Sequence, residues 1–255
     1  MYDNLDSAKP IVIVTGGASG IGYKISEHLV EVGYGVIAIS RNASCQDINM
    51  ENFQALDCDL SSFSDTKKTF QELSKKKIRI VSLINNAGLS KWRSVSSISE
   101  SFLDEMFKNN IVTAISATKF AVENFWELQT IINISSLAGK RGTTNNSIYV
   151  ATKFAIEGLT KSWCYEFGGK GIRVNSICPV LIQTPGLLAE IDKKYGPANN
   201  NGTAEFLENF SLNYSPLKRL PDALDVAKMV EFLISSKADA ITGQSINVDC
   251  GVLPG

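Results

Sequence analysis

The chain has almost no histidine: His28 is the single one in 255 residues. Histidine triads and multi-histidine metal sites have nothing to draw on, so no metal site is expected and proton transfer near neutral pH falls to another residue type. Cysteine is sparse, with five residues (Cys45, Cys58, Cys164, Cys178, Cys250) and no C-x-x-C pair. An odd, scattered set argues against a disulfide framework or a zinc knuckle and reads as free thiols in a reducing cytosol. Neither sign of charge dominates: 25 basic residues face 26 acidic ones, net −1. With no basic block there is no electrostatic footprint for nucleic acid or for a membrane surface. No stretch approaches the roughly 18 apolar residues of a bilayer span. The start, "MYDNLDSAKP", has no apolar signal core. The expectation is a cytoplasmic, unprocessed chain whose partner is a small molecule.

What is present is the material of one large α/β domain, 44% hydrophobic and 20% charged. Apolar, β-branched runs occur at 10–15, 34–40, 53–59, 78–87, 129–136, 172–179 and 244–249. Continuous runs of this kind suit a parallel sheet covered on both faces. Helical patterns fall between them at about 20–32, 62–76, 101–127, 147–168 and 223–235. This alternation predicts a doubly wound sheet with right-handed crossovers. The segment from Thr184 to Leu220, containing "YGPANNNGT", reads as a long irregular insertion, hence a lid or binding loop.

After the first strand comes "TGGASGIG", Thr15 to Gly22. Gly16, Gly20 and Gly22 stand where a strand turns sharply into a helix and where backbone amides can approach a pyrophosphate. The spacing is G-x-x-x-G-x-G, so the position in the first β-α unit carries the argument. At the end of the second strand an NAD site would offer an acid to the ribose. Here the chain reads "AISRN", with Ser40 and Arg41 and no acid before Asp47. A guanidinium suits a 2′-phosphate, so NADPH is favoured over NADH.

Tyr149 precedes Lys153 by four residues, which puts both on one helix face. A phenol titrates near 10, and an ammonium one turn away favours the phenolate and lowers that value. Ser135 and Ser136 end the strand before this helix, and adjacent strand residues point to opposite faces, so one of them can serve the site.

The motifs "TGGASGIG", "DL" at 59–60, "NNAG" at 85–88, "NNIV", "INISS", "YVATK", "RVNSICP" and "ITGQSINVDCG" follow one another in order. Together they resemble a short-chain dehydrogenase/reductase from Ile11 to Gly251. The resemblance implies a seven-stranded parallel sheet of order 3-2-1-4-5-6-7 and a homo-oligomer, tetramer or dimer. It implies Tyr149 as proton donor or acceptor, Lys153 as its activator and ribose ligand, Ser136 as the carbonyl-orienting hydroxyl and Asn110, rather than Asn109, as proton-relay support. Cofactor contacts carried over with it are Ser19 and Ile21 at the turn, Asp59 and Leu60 near adenine, Asn86, Ala87 and Gly88 along the ribose wall, and Pro179, Ile182 and Thr184 near the carboxamide. Where the family usually has Pro-Gly this chain has Pro179–Val180, so the backbone there is expected to differ or the pocket to narrow.

The implied activity is NADPH-dependent reduction of a ketone or aldehyde to an alcohol, reversibly. A dinucleotide-sensing protein without turnover is the alternative, although all four catalytic positions are filled. A serine hydrolase would need G-x-S-x-G and a nearby histidine, and neither is present. The substrate alternatives are a 3-oxoacyl thioester on a carrier protein and a sugar or secondary-metabolite ketone. "ENFWELQT" lacks the basic residues expected of many carrier-protein reductases, which leans against the thioester. Lys91, Arg93, Lys140 and Arg141 follow the fourth and fifth strands and are candidates to attract an anionic substrate. Of the tryptophans, Trp126 and Trp163 read as core or subunit-contact residues, and Trp92 as a loop residue within reach of substrate. His28 reads as a helix residue remote from the carbonyl.

Overall fold

A computed structural model of the chain describes residues 4–46, 48–76, 78–199 and 202–254; Asp47 lies outside them. The seven strands are β1 (Pro10–Thr15), β2 (Gly35–Ser40), β3 (Phe53–Asp57), β4 (Arg79–Asn85), β5 (Thr130–Ile134), β6 (Arg173–Pro179) and β7 (Ser245–Val248). They form one parallel sheet in the order β3-β2-β1-β4-β5-β6-β7, as expected. In β1, Ile11, Val12, Ile13 and Val14 are all fully buried because both faces are covered. Ile11 and Ile13 point into a cluster with Phe70, Leu73, Phe120 and Trp163. Val12 and Val14 point the other way, onto Ile25, Leu29, Val226 and Val230. Each such side chain is worth about 1.5–3 kcal/mol of burial.

The helices are α1 (Gly20–Glu31), α2 (Phe63–Ser74), α3 (Glu100–Phe107), α4 (Thr113–Asn124), α5 (Ser147–Gly168), α6 (Pro185–Ile191), α7 (Thr203–Tyr214) and α8 (Ala223–Ile234). The long helix expected over 101–127 is broken: a π-turn at Lys108–Val112 separates α3 from α4. The irregular segment expected over 184–220 contains α6 and α7. They close a separate apolar cluster in which Trp92, Ile191, Ala198 and Leu207 are buried. The strands also stop earlier than their apolar runs, so Asn86–Ala87 and Ser135–Ser136 leave the sheet at its carboxyl edge. His28 is buried between α1 and α8, its Nε2 2.7 Å from Glu231 Oε2. Trp163 is core, whereas Trp126 stands 90% exposed, which removes the core half of its core-or-subunit-contact reading.

β1 and β4 meet where the strand order reverses, the place at which open α/β sheets bind ligands. Thr15 Oγ1 accepts the Asn86 and Ala87 amides there, both at 2.9 Å. Asn86 Nδ2 donates back to the Thr15 carbonyl at 3.0 Å. Gly22 sits under this knot: a Cβ on it would lie 2.2 Å from Gly16 O and 2.4 Å from Asn86 Nδ2. Gly22→Ala is therefore expected to destabilise the chain by about 1–3 kcal/mol in urea denaturation, from overpacking alone. An unchanged midpoint would show that the turn has room to relax.

Candidate active site

A cavity of about 1150 Å³ opens at the carboxyl edge of the sheet, running from the glycine turn to the 184–220 segment. Gly16 and Gly20 have φ of +65° and +53°, the left-handed region that glycine adopts without strain. A Cβ on Gly16 would meet Asn86 Nδ2 at 3.1 Å. Ser19 caps α1 without a side-chain hydrogen bond, so the amides of the first turn stay open toward the cavity. This donor set fits a pyrophosphate. Ser19, Ile21, Asn86, Ala87, Gly88, Pro179, Ile182 and Thr184 line the same cavity.

Other expected contacts are not among the residues lining this cavity. Gly22 is packing beneath the turn. Leu60 belongs to the core, its carbonyl accepting from Ser116, and Asp59 binds the amide and hydroxyl of Ser61. Ser40 ends β2 and Arg41 is exposed beyond it. Directly across from Ser40 in the register stands Asp57, an acid that the strand-by-strand reading missed. Its carboxylate turns to the loop after β2, accepting the Ser44 amide and hydroxyl, and these bonds lower its pKa.

Tyr149 and Lys153 stand one turn apart on α5, with the lysine Nζ 5.7 Å from the phenol ring centre. Lys153 is buried, 6% exposed, and donates to the Ile134 carbonyl at 2.9 Å. Burial lowers its pKa to about 8, against the raising influence of Cys178 and Glu157. Burial also raises the Tyr149 phenol, and the hydroxyls of Ser136 and Ser90 pull it back down. The expected lowering of the phenol by Lys153 is thus corrected: burial outweighs every neighbour.

Ser136 lies two residues past the end of β5 and caps the short turn that follows, accepting the Ala138 amide at 3.1 Å. Its hydroxyl lies beside the phenol. Ser135 is buried with its Oγ unpartnered, close to Gly139, so the side of the pair chosen from the resemblance is the one that reaches Tyr149. Ser90 was not anticipated; its signal is its place, two residues beyond "NNAG" in a loop at the carboxyl edge.

Asn110 sits in the π-turn, 2% exposed. Its Oδ1 accepts the Leu89 amide at 2.6 Å, and its Nδ2 donates to the Leu89 carbonyl and to Thr152 Oγ1, each at 3.0 Å. Asn109 instead bonds within its helix, to the Glu105 carbonyl. The Asn110 side chain is therefore fully committed to holding the β4 loop against α5.

Val180 has no left-handed backbone, but its neighbour Leu181 does, with φ of +37°. Val180 packs against Leu137 and Cys178 at the cavity wall. Of the four candidate cations, Lys91 pairs with Glu105 at 2.7 Å, Lys140 donates to the Ser245 carbonyl at 2.7 Å, and Arg93 lies over Phe102. Arg141 lines the cavity. Trp92 also borders it while anchoring the α6–α7 cluster. Among the described residues no helix is long and apolar enough to cross a membrane, and no cluster of metal-ligating side chains occurs.

A parallel sheet of this order with a glycine turn, a serine and a Tyr-x-x-x-Lys pair at its carboxyl edge defines a Rossmann-type dinucleotide oxidoreductase. The chain belongs to the short-chain dehydrogenase/reductase family: a family model described as "Enoyl-(Acyl carrier protein) reductase" matches residues 16–253. It is 29% identical to sorbitol-6-phosphate 2-dehydrogenase of Klebsiella pneumoniae, over 94% of this chain and 95% of that one. It is 30% identical to a diacetyl reductase, (S)-acetoin forming, of Staphylococcus aureus, over 95% and 97%. The solved aldohexose dehydrogenase of Thermoplasma acidophilum, ligand-free, superposes with a TM-score of 0.85 at 30% identity, covering 98% of this chain and 95% of that one.

Proposed function

We propose that this chain is an NADPH-dependent reductase of ketones or aldehydes, reversible as an alcohol dehydrogenase, working in the cytoplasm. The observation that carries the reading is the Tyr149 phenol beside the Ser136 hydroxyl, with the buried Lys153 amine one helical turn away. The open amides after Gly16 and Gly20 would hold the pyrophosphate, and Lys153 the nicotinamide ribose. When bound, the dinucleotide supplies the hydride. Ser136 donates a hydrogen bond to the substrate oxygen as charge develops on it. Tyr149 gives that oxygen its proton, and the raised pKa keeps the proton on the phenol until then. Lys153 supplies the positive charge that stabilises the phenolate left behind. Asn110 keeps the β4 loop and α5 in register.

The 184–220 segment is a substrate lid in this reading, with Phe206, Phe210 and Tyr214 of α7 facing the cavity. With three of four basic candidates already engaged, Arg141 is the cation left for an anionic substituent. This supports a sugar or secondary-metabolite ketone over a carrier-bound thioester. Exposed Leu103, Phe107, Phe154 and Tyr165 on α3 and α5 support a homo-oligomer, dimer or tetramer. A monomeric mass in light scattering would remove that part of the reading.

Tyr149→Phe should lower NADPH oxidation on a panel of ketones, aldehydes and an enoyl thioester by about 10²–10⁴-fold. Equal rates would take the tyrosine out of the chemistry. Since the cation on Lys153 is lost as pH rises through about 8, kcat/KM for reduction should hold below that value and fall above it. A profile that instead rises across pH 8 contradicts the assignment. Arg41→Ala should weaken NADPH binding about 10–100-fold, leaving NADH nearly unchanged; equal losses for both would return the cofactor preference to NAD.

A further inference from the structure

Glu157 is a buried acid that the proton-transfer scheme leaves unused. It lies one turn beyond Lys153 on α5 and is 6% exposed. Its Oε2 accepts from Ser176 Oγ at 2.9 Å and from Ser245 Oγ, and its Oε1 from Cys178 Sγ at 3.4 Å. Ser176 and Cys178 share one face of β6, and Ser245 is the register partner of Ser176 on β7. Among the described residues no lysine or arginine comes within ion-pair distance of it. A carboxyl group held this way sits in a medium of low dielectric, where electrostatic interactions are screened less than in water. The turn Leu137–Gly139 is seated tightly against the same stretch of α5: a Cβ on Gly139 would lie 2.9 Å from Lys153 O and 3.1 Å from Glu157 Cγ.

The ionisable groups around Lys153 are few. On α5 these are Tyr149 and Glu157. From β6 comes Cys178, and from the turn after β5 comes Lys140, whose ammonium is bound to the Ser245 carbonyl. β5 offers the Ile134 carbonyl and the π-turn the side-chain amide of Asn110, both neutral. Burial, with Glu157 beside it, pushes the Cys178 thiol up to about 12, so it is uncharged wherever Lys153 titrates. The phenol too is protonated. Glu157, one helical turn from Lys153 on the same helix, is then the carboxyl group among the lysine's ionisable neighbours.

We propose that Glu157 is a positioning residue for Lys153: its carboxylate, clamped by β6 and β7, is the fixed counter-charge that keeps the buried lysine cationic and so sets the alkaline limit of the reaction. This rests on reading Lys153 as the cation of the active site. Lysines labelled with ¹³C at Cε, followed by NMR against pH in the full chain without dinucleotide, test it directly. The Lys153 signal is assigned by its loss in Lys153→Arg. In Glu157→Gln the Lys153 midpoint should drop by about one pH unit, and the alkaline limb of kcat/KM should move with it. Glu157→Asp should restore most of both. An unmoved midpoint in the glutamine variant, or an aspartate variant as disturbed as the glutamine one, overturns the proposal.

If the midpoint shifts as expected while no variant and no wild-type sample turns over any carbonyl, the counter-charge stands and the reductase reading falls.

Discussion

Burial of one ammonium group organises this molecule's functional edge. Lys153 is covered by α5, β5 and the β4 loop, and a lysine so enclosed must be paired or hydrogen-bonded to remain charged. The Ile134 carbonyl meets it where β5 runs out of sheet partners. Gly88 is small enough to let the β4 loop approach, for a Cβ there would stand 3.0 Å from Asn110 Oδ1 and 3.9 Å from Lys153 Nζ. The same enclosure that lowers the lysine raises the phenol, so two groups that ordinarily titrate close together, near 10, are driven apart. That separation is what the proposed proton transfer from Tyr149 beside a cationic Lys153 would draw on.

The π-turn belongs to this arrangement. An extra residue in the helix turns Asn110 inward, to Leu89 and to Thr152 on α5. An unbroken helix would keep its backbone regular but give up this clamp between the β4 loop and the helix bearing Tyr149. The clamp is made of three hydrogen bonds at a site with 2% exposure, where an unmet amide would cost about 1–3 kcal/mol. Insertions of this kind recur at functional sites because a local loss of regularity is repaid by an inward-facing polar group.

Much of the fold was legible because a sheet buried on both faces leaves nearly continuous β-branched runs, as in "PIVIVT", and because the ordered motifs resemble a known family. The glycine turn and the Tyr149–Lys153 spacing were legible for the same reason: each is set by local backbone geometry. What was hidden depends on contacts between distant residues. Asp57 faces Ser40 only through strand register, and Glu157 finds Ser176 and Ser245 only after β6 and β7 pair. The π-turn leaves no periodic signature, since "KNNIV" continues an ordinary helical pattern. Helices α6 and α7 were hidden by the glycines, prolines and asparagines between them, although the stripe Phe206, Phe210, Tyr214 recurs every four residues.

Leu181 shows how the rigid edge and the α6–α7 segment are joined. A leucine at φ +37° is strained by about 1–3 kcal/mol unless its surroundings enforce the conformation. They do so from two sides, for Leu181 packs both against the cluster of Trp92 and Ile191 and against Val180 and Leu137. The kink turns the chain out of β6 and over the cavity, and Thr184 then caps α6 by accepting the Leu187 amide. A glycine at 180 would leave the cavity wall without the Val180 side chain. The strained backbone at Leu181 and the filled wall at Val180 thus sit side by side, and the same packing that enforces the one narrows the cavity at the other.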